Sequence, residues 1–175
     1  MKIYSNRKGF TLLEVVAVLV IMVIITAVAL TRLVSNQNNL IAATDTLTSH
    51  LRLAQARAMN TDAPTATIFS SWGVSFSSPT QYYLFNCANA IGCTPATNQQ
   101  SFPGGGNIIM DLASKNVQVT NGTPLILAFD RFGTPYNDAA LATPLAAQLT
   151  LTLKDNNGNT NTINITPQTG MIKKG

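Results

Sequence analysis

The sequence predicts an α+β protein in which a long N-terminal helix, membrane-spanning in its first half, packs on a C-terminal antiparallel β-sheet body. Three observations predict this class: an apolar run over residues 10–30, apolar residues at helical spacing over residues 40–59, and short β-type runs separated by turns after Pro64. A chain of 175 residues has room for one such body plus an appendage.

The apolar run is long enough to cross a membrane as a helix. Its 21 residues would span about 31 Å at 1.5 Å per residue, close to the thickness of a hydrocarbon core. Only Thr11, Glu14 and Thr26 interrupt it. The stretch that follows, TRLVSNQNN, has no Ala-x-Ala cleavage site, so an ordinary secretory signal is the weaker interpretation.

The basic charge is concentrated at the N-terminal tip, in Lys2, Arg7 and Lys8. Downstream of Ser35, seven basic residues face six acidic ones, which leaves a net charge of +1. A nearly neutral body argues against a broad electrostatic interface with DNA. The positive tip predicts a cytoplasmic N-terminus and a body on the other side of the membrane.

Glu14 is the only glutamate in the chain, and it lies inside the apolar run. A carboxylate near the centre of a membrane helix costs about 2.5–3.5 kcal/mol, and less toward the interface. One interpretation is an interfacial side chain that reaches the lipid headgroups. The other is a charge that awaits a partner, and a free α-amine on Phe10, created by cleavage after Gly9, would supply one.

The stretch RKGFTLLEVVAVLVIM strongly resembles the N-terminus of type IV pilins and type II secretion pseudopilins, which is called the class III prepilin signal. The matching residues are Lys8, Gly9, Phe10, Thr11, Leu12 and Glu14. The resemblance implies that prepilin peptidase cuts after Gly9 and N-methylates Phe10. It also implies that Glu14 guides the subunit into a helical filament.

The partners implied by the resemblance are other copies and other pilins, prepilin peptidase, and an inner-membrane assembly platform with a separate ATPase. The implied organisation is a leader over residues 1–9, a transmembrane and filament-core helix over 10–34, an amphipathic continuation over 35–62, and a pilin-like body over 63–175. The expected location is the bacterial inner membrane with a periplasmic body, and then a pilus or pseudopilus. Many pilins carry a helix-kinking proline where this chain has Thr31.

Beyond the membrane segment, the pattern predicts one helix face and then strands. The face is formed by Leu40, Leu47, Leu51, Ala54 and Ala58. Strands are predicted over residues 66–69, 72–76, 81–85, 108–112, 117–119 and 125–130. The alternation of Leu149, Leu151 and Leu153, and of Ile163 and Ile165, predicts a hairpin whose tight turn takes positive φ angles at Asn157 and Gly158.

Cys87 and Cys93 form the pair in CANAIGC. With no histidine nearby, this spacing is poor for a metal, and a small disulfide loop is expected if the body lies outside the cytoplasm. The alternative is two reduced thiols. Together with the exposed excursion predicted over residues 94–100 and the flexible FPGGGN loop, this region is either an interaction surface or a long loop without a partner.

The C-terminal region resembles that of minor pilins, H-type pseudopilins and mannose-sensitive haemagglutinin pilins. The matching residues are Phe129, Gly133, Pro135, Thr169, Gly170 and Ile172. Many major pilins place their disulfide near the C-terminus, whereas Cys87 and Cys93 are in the middle of this chain. This departure favours a minor pilin or pseudopilin over a major pilus subunit, which remains the alternative.

Enzymatic and ligand-binding interpretations have little support in the sequence. His50 is the only histidine, and it is expected either on the polar face of the helix or packed against the body. Asp130 and Asp138 both fall in turn sequence. No catalytic residue, cofactor or metal is therefore expected. Residues 155–161 faintly resemble a calcium loop but lack its closing glutamate, so a plain hairpin turn is favoured. The third hypothesis is a DNA-binding minor pilin that uses Arg131, Lys173 and Lys174.

Overall fold

The structure is a computed structural model that describes residues 11–61, 70–103, 108–121 and 124–175, with only the backbone for residues 30–36. By its internal contacts the chain divides into two units, Met1–Ser35 and Asn36–Gly175, which are described separately. One helix, α1 (Leu12–Met59), has its first part in unit 1 and its second part in unit 2. The predicted strand over 66–69 and the glycines of the predicted FPGGGN loop lie outside the described residues.

Ten strands follow the helix within the described residues. They are β1 (Ser71–Ser78), β2 (Gln81–Cys87), β3 (Gln99–Gln100), β4 (Ile109–Asp111), β5 (Val117–Val119), β6 (Leu125–Phe129), β7 (Pro135–Tyr136), β8 (Leu149–Asp155), β9 (Thr160–Ile165) and β10 (Ile172–Lys174).

These strands form two antiparallel sheets in unit 2. The first sheet has the order β3-β2-β1-β6-β7, and β4 also pairs with β2. The second sheet has the order β10-β9-β8-β5. Every described pair is antiparallel, including β1 with β6, where Trp72 lies opposite Phe129. A helix packed on antiparallel sheets confirms the predicted α+β, pilin-like class.

The second part of α1 contributes one face to the core of unit 2. All five residues predicted for this face, Leu40, Leu47, Leu51, Ala54 and Ala58, are buried, and Ala43 joins them. They pack with apolar side chains of both sheets in one cluster. Full burial of a leucine side chain is worth about 1.5–3 kcal/mol, so this face accounts for the attachment of the helix to the sheets.

Two threonines on the same helix are buried although their type suggests a polar face. The Thr44 hydroxyl donates to the Leu40 carbonyl at 2.8 Å, and the Thr48 hydroxyl donates to the Thr44 carbonyl at 2.7 Å. Because each hydroxyl bonds to the preceding turn of its own helix, burial leaves it with a partner. The apolar face is therefore wider than the apolar residues alone predict.

The predicted C-terminal hairpin is present as β8 and β9. Leu151 pairs with Ile163 and Leu149 with Ile165; three of these side chains are buried, and that of Leu149 is partly buried. The predicted tight turn is wrong in its detail, because Gly158 has a positive φ of 92° whereas Asn157 does not. The Asp155 carboxylate instead organises a longer loop by accepting hydrogen bonds from the N–H groups of Asn157 and Asn159, at 2.9 and 2.8 Å.

Other strand boundaries also differ from the prediction. The strand expected over 125–130 ends at Phe129, because the Asp130 side chain accepts the N–H groups of the turn that follows. The strand expected over 108–112 covers only Ile109–Asp111. The stretch expected as an exposed excursion contains a 3-10 turn, Pro95–Thr97, and the short strand β3, which pairs with β2.

Gln55 fastens α1 to two turns of the sheets. Its side-chain amide donates toward the carbonyls of Gly133 and Gly170, at 3.0 and 3.1 Å, and lies 3.4 Å from that of Thr169. Gly133 and Gly170 have positive φ angles of 79° and 62°. A side chain on Gly170 would collide with the Gly133 carbonyl, so both turns approach each other more closely than any other residue type allows.

Candidate assembly site

The first turn of α1 places Glu14 at the start of the apolar helix. Thr11 caps this turn: its Oγ1 accepts the Glu14 N–H at 3.3 Å, and its carbonyl accepts the N–H groups of Glu14 and Val15 at 3.1 and 3.3 Å. The Glu14 carboxylate is thus carried at the positive end of the helix dipole. Thr11 was not singled out as a cap from the sequence, although the spacing Thr-x-x-Glu is the signature of a capping box.

None of the described helical residues that follow, up to residue 29, is buried. Every described residue from 11 to 29 is exposed, and the large apolar side chains retain between 50% and 83% of their accessible surface. The window Leu12–Ala29 has a mean hydropathy of 3.0, and no other described helix is long and apolar enough to cross a membrane. Such a surface needs lipid or other apolar helices around it.

The window Leu12–Ala29 contains two polar side chains, those of Thr26 and Glu14. The Thr26 hydroxyl donates to the Met22 carbonyl at 2.7 Å, so the helix itself satisfies it. Glu14 is the one charged residue between Leu12 and Ala29. Gly9 and Phe10, the predicted cleavage and methylation sites, lie outside the described residues, so the pairing of Glu14 with the Phe10 amine stays a prediction.

Cys87 and Cys93 are joined by a disulfide, with their Cα atoms 5.9 Å apart. Cys87 is buried at the end of β2, while Ile91, inside the covalent loop, is 73% exposed. The bond therefore fixes a short loop to the edge of the first sheet and presents an apolar side chain at its tip. Whether this loop binds a partner stays a prediction.

Asp130 and Asp138 act as turn acceptors. Asp130 accepts the N–H groups of Phe132 and Thr134, both at 2.9 Å. Asp138 accepts those of Ala142 and Thr143, at 3.0 and 2.6 Å. Burial alone would raise the pKa of Asp138, but these hydrogen bonds outweigh it and hold the pKa below its usual value. Both carboxylates hold the loops that follow them through these hydrogen bonds.

Of the three cations of the predicted nucleic-acid patch, Lys173 and Lys174 are adjacent on β10, whereas Arg131 lies in the turn after β6. The Arg131 guanidinium stacks on the ring of Phe132, 4.8 Å from its centroid. Lys174 forms an ion pair with Asp45 on α1. Lys173 is exposed on β10. The described contacts do not join these three side chains into one patch.

The Asp155 loop is built by its own amide groups. Besides the two backbone N–H groups, the Asn159 side chain donates to the second Asp155 oxygen at 2.8 Å. Burial would raise the pKa of Asp155, but these hydrogen bonds lower it. Among the described residues, no three His, Cys, Asp or Glu side chains lie close enough together to hold a metal ion.

Comparison with known proteins gives one match. Residues 4–30 match the family model described as the prokaryotic N-terminal methylation motif. Neither a curated protein nor a solved structure matches the chain. The motif covers Arg7 and Lys8 of the basic tip, the predicted cleavage site and the apolar segment with Glu14. It points to a structural subunit of the type IV pilin-like or pseudopilin kind, which is processed by prepilin peptidase, anchored in a membrane and assembled with other pilins. The chain carries the class III prepilin signal, the hallmark of type IV pilins and pseudopilins.

Proposed function

We propose that the chain is a minor pilin or pseudopilin that is cut after Gly9, N-methylated at Phe10 and incorporated into a filament through its N-terminal helix. The observation that carries this proposal is the methylation motif over residues 4–30, together with the exposure of every residue from Leu12 to Ala29 in the first part of α1. Lipid covers this surface before assembly, and the helices of neighbouring subunits cover it afterwards.

Glu14 sets the position of the subunit during assembly by pairing with an α-amine. Cleavage after Gly9 creates an α-amine on Phe10, and a single methyl group leaves that amine basic. A carboxylate in an apolar environment is costly unless it has a charged or hydrogen-bonding partner. In the membrane the partner is the Phe10 amine of the same chain, four residues before Glu14 in the sequence. In the filament the amine of a neighbouring subunit takes its place, which fixes the stagger between the two helices.

The position of the disulfide supports a minor subunit or pseudopilin over a major one. Cys87 and Cys93 close a loop beside the first sheet, while the C-terminal strand β10 has no cysteine. The alternative is a major pilus subunit for adhesion or motility. In either case the energy for assembly comes from a separate ATPase at an inner-membrane platform, because the sequence holds no nucleotide-binding motif.

Subunit stoichiometry in sheared filaments tests the proposal. We expect this chain to be recovered at less than about one-tenth the molar amount of the most abundant filament subunit, measured by quantitative mass spectrometry with labelled peptide standards. Deletion of its gene should alter filament number or secretion and leave the filament shaft intact. If this chain is itself the most abundant subunit, the major-pilin alternative is correct.

A further inference from the structure

His50 lies in a contact that joins α1 to two other parts of unit 2. Its ring stacks on the ring of Phe102, with 4.0 Å between the centroids and 25° between the planes. Its Nδ1 lies 3.0 Å from the hydroxyl of Tyr82 on β2. Tyr82 in turn packs edge-on against Phe102 and tilted against Phe76. We call these four side chains the His50 cluster.

When Nδ1 of the neutral ring carries no proton, the hydrogen bond in this cluster runs from the Tyr82 hydroxyl to Nδ1. Tyr82 is fully buried, and its hydroxyl has one described partner, the Nδ1 of His50. A buried hydroxyl needs an acceptor, so the Tyr82 O–H donates to an unprotonated Nδ1. Protonation of Nδ1 makes it a donor. The Tyr82 proton then loses its acceptor inside the core.

The surroundings of the ring also oppose a positive charge. Burial lowers the pKa of His50, and the nearby Lys115 cation lowers it further, to about 4. The titratable and charged groups that face the ring are Tyr82 from β2 and Lys115 from the 3-10 turn Ala113–Lys115; the residue 102 segment contributes a neutral phenyl ring. No carboxylate among the described residues offsets this effect. Attraction between an imidazolium and the aromatic faces offsets part of the desolvation cost.

We propose that the His50 cluster is an acid-sensitive fastening: protonation of His50 releases Tyr82 and Phe102 from α1 and loosens the helix from β2 of the first sheet. This device is independent of the filament function. The second sheet does not depend on it, because α1 reaches that sheet through Lys174 with Asp45 and through Arg52, whose guanidinium donates to the Ile172 carbonyl at 3.0 Å.

The sign of the pH dependence follows from the direction of the shift. The folded His50 holds its proton less tightly than the unfolded or released ring, so the neutral form favours the closed cluster. This contribution is fully present above about pH 6.5 and is lost as the pH falls toward about 4. Because the ring is partly exposed, we expect a tenfold or larger change in cluster opening between pH 7 and 4.5.

The test uses the full-length chain in neutral detergent micelles. The chain has one histidine, so ¹³C labelling of the imidazole gives a single ring signal whose titration reports His50 directly. Amide hydrogen exchange, corrected for the intrinsic effect of pH, is measured at pH 7 and 4.5 for residues 99–102 and 81–85. β9 serves as the internal reference. We expect a midpoint near pH 4 and at least tenfold faster exchange at pH 4.5 in the two test segments relative to β9.

The matched variant is His50→Gln, which offers Tyr82 an acceptor but cannot become charged. Its exchange in the two test segments should be the same at pH 7 and 4.5. A midpoint near 6.5 in the wild-type chain, no acceleration, or equal acceleration in His50→Gln would overturn the proposal. If His50→Gln does not fold, Lys115→Gln replaces it, and the His50 midpoint should then move upward.

Discussion

Replacement of Glu14 by alanine is expected to reduce the amount of subunit recovered in filaments by tenfold or more, while cleavage after Gly9 remains unchanged. The apolar helix keeps its hydropathy and length in this variant, so it still inserts in the membrane. It loses the carboxylate that pairs with the Phe10 amine of a neighbour. A tenfold change corresponds to about 1.4 kcal/mol, near the lower end of the range for a hydrogen bond to a charged group.

The measurement compares this chain in sheared filaments and in inner membranes by quantitative immunoblot. Glu14→Gln should behave like Glu14→Ala, because it keeps the shape and removes the charge. The control is Thr11→Ala, which removes the capping hydroxyl but keeps the carboxylate, and which should cost about 1 kcal/mol of helix stability with a smaller effect on incorporation. Normal incorporation of both Glu14 variants would show that Glu14 is only an interfacial residue.

Replacement of Gly170 by alanine is expected to lower the free energy of unfolding of unit 2 by about 3 kcal/mol. A residue with a side chain costs about 1–2 kcal/mol at a left-handed φ, and forced overpacking adds about 1–3 kcal/mol. Gly170 has a φ of 62°, and an added Cβ would meet the Gly133 carbonyl and lie 2.5 Å from the Gln55 side-chain amide. The substitution would therefore break the fastening of α1 to two turns at once.

Gly92→Ala is the matched control for this variant. Gly92 has a φ of 72°, but nothing lies within 4 Å of an added Cβ, so only the backbone term applies. Urea denaturation can be followed through Trp72, the single tryptophan, which lies in β1. We expect Gly170→Ala to be about 2 kcal/mol less stable than Gly92→Ala. Equal stability of the two variants would mean that the turns around Gln55 can move apart to admit the added methyl group without lowering the free energy of unfolding.

The spacing of apolar residues in the sequence predicted the helix and the strands that bury one face and leave the other exposed. The helix face from Leu40 to Ala58 and the alternation of β8 and β9 are examples, because one side of each element is buried and the other is not. The short strands β7 and β10 were not predicted, because neither Pro-Tyr nor Ile-Lys-Lys alternates apolar and polar residues as the three residues of β5 do. The pairing of β1 with β6 joins residues 49 to 57 positions apart, from Phe76 with Leu125 to Trp72 with Phe129, and no local signal specifies it.

The fastening residues were hidden for a different reason. Gln55 follows the apolar position Ala54 in the sequence, but its partners are backbone carbonyls of distant turns, which no side-chain pattern reveals. The two glycines at that junction, Gly133 and Gly170, belong to the resemblance of the C-terminal region, but the sequence does not indicate their role in the fold. The structure supplies the reason: the turns meet where no side chain fits. Glu14, in contrast, stands out from sequence because it is the one charge in an apolar helix.

The intact mass of the protein recovered from its native membranes tests the central claim most directly. The account predicts a mass equal to residues 10–175 plus one methyl group, less the two hydrogens lost in the Cys87–Cys93 disulfide. A mass that retains Met1 through Gly9, in cells with an active prepilin peptidase, would contradict it. The chain would then be an ordinary anchored protein, and Glu14 would have no new amine with which to pair.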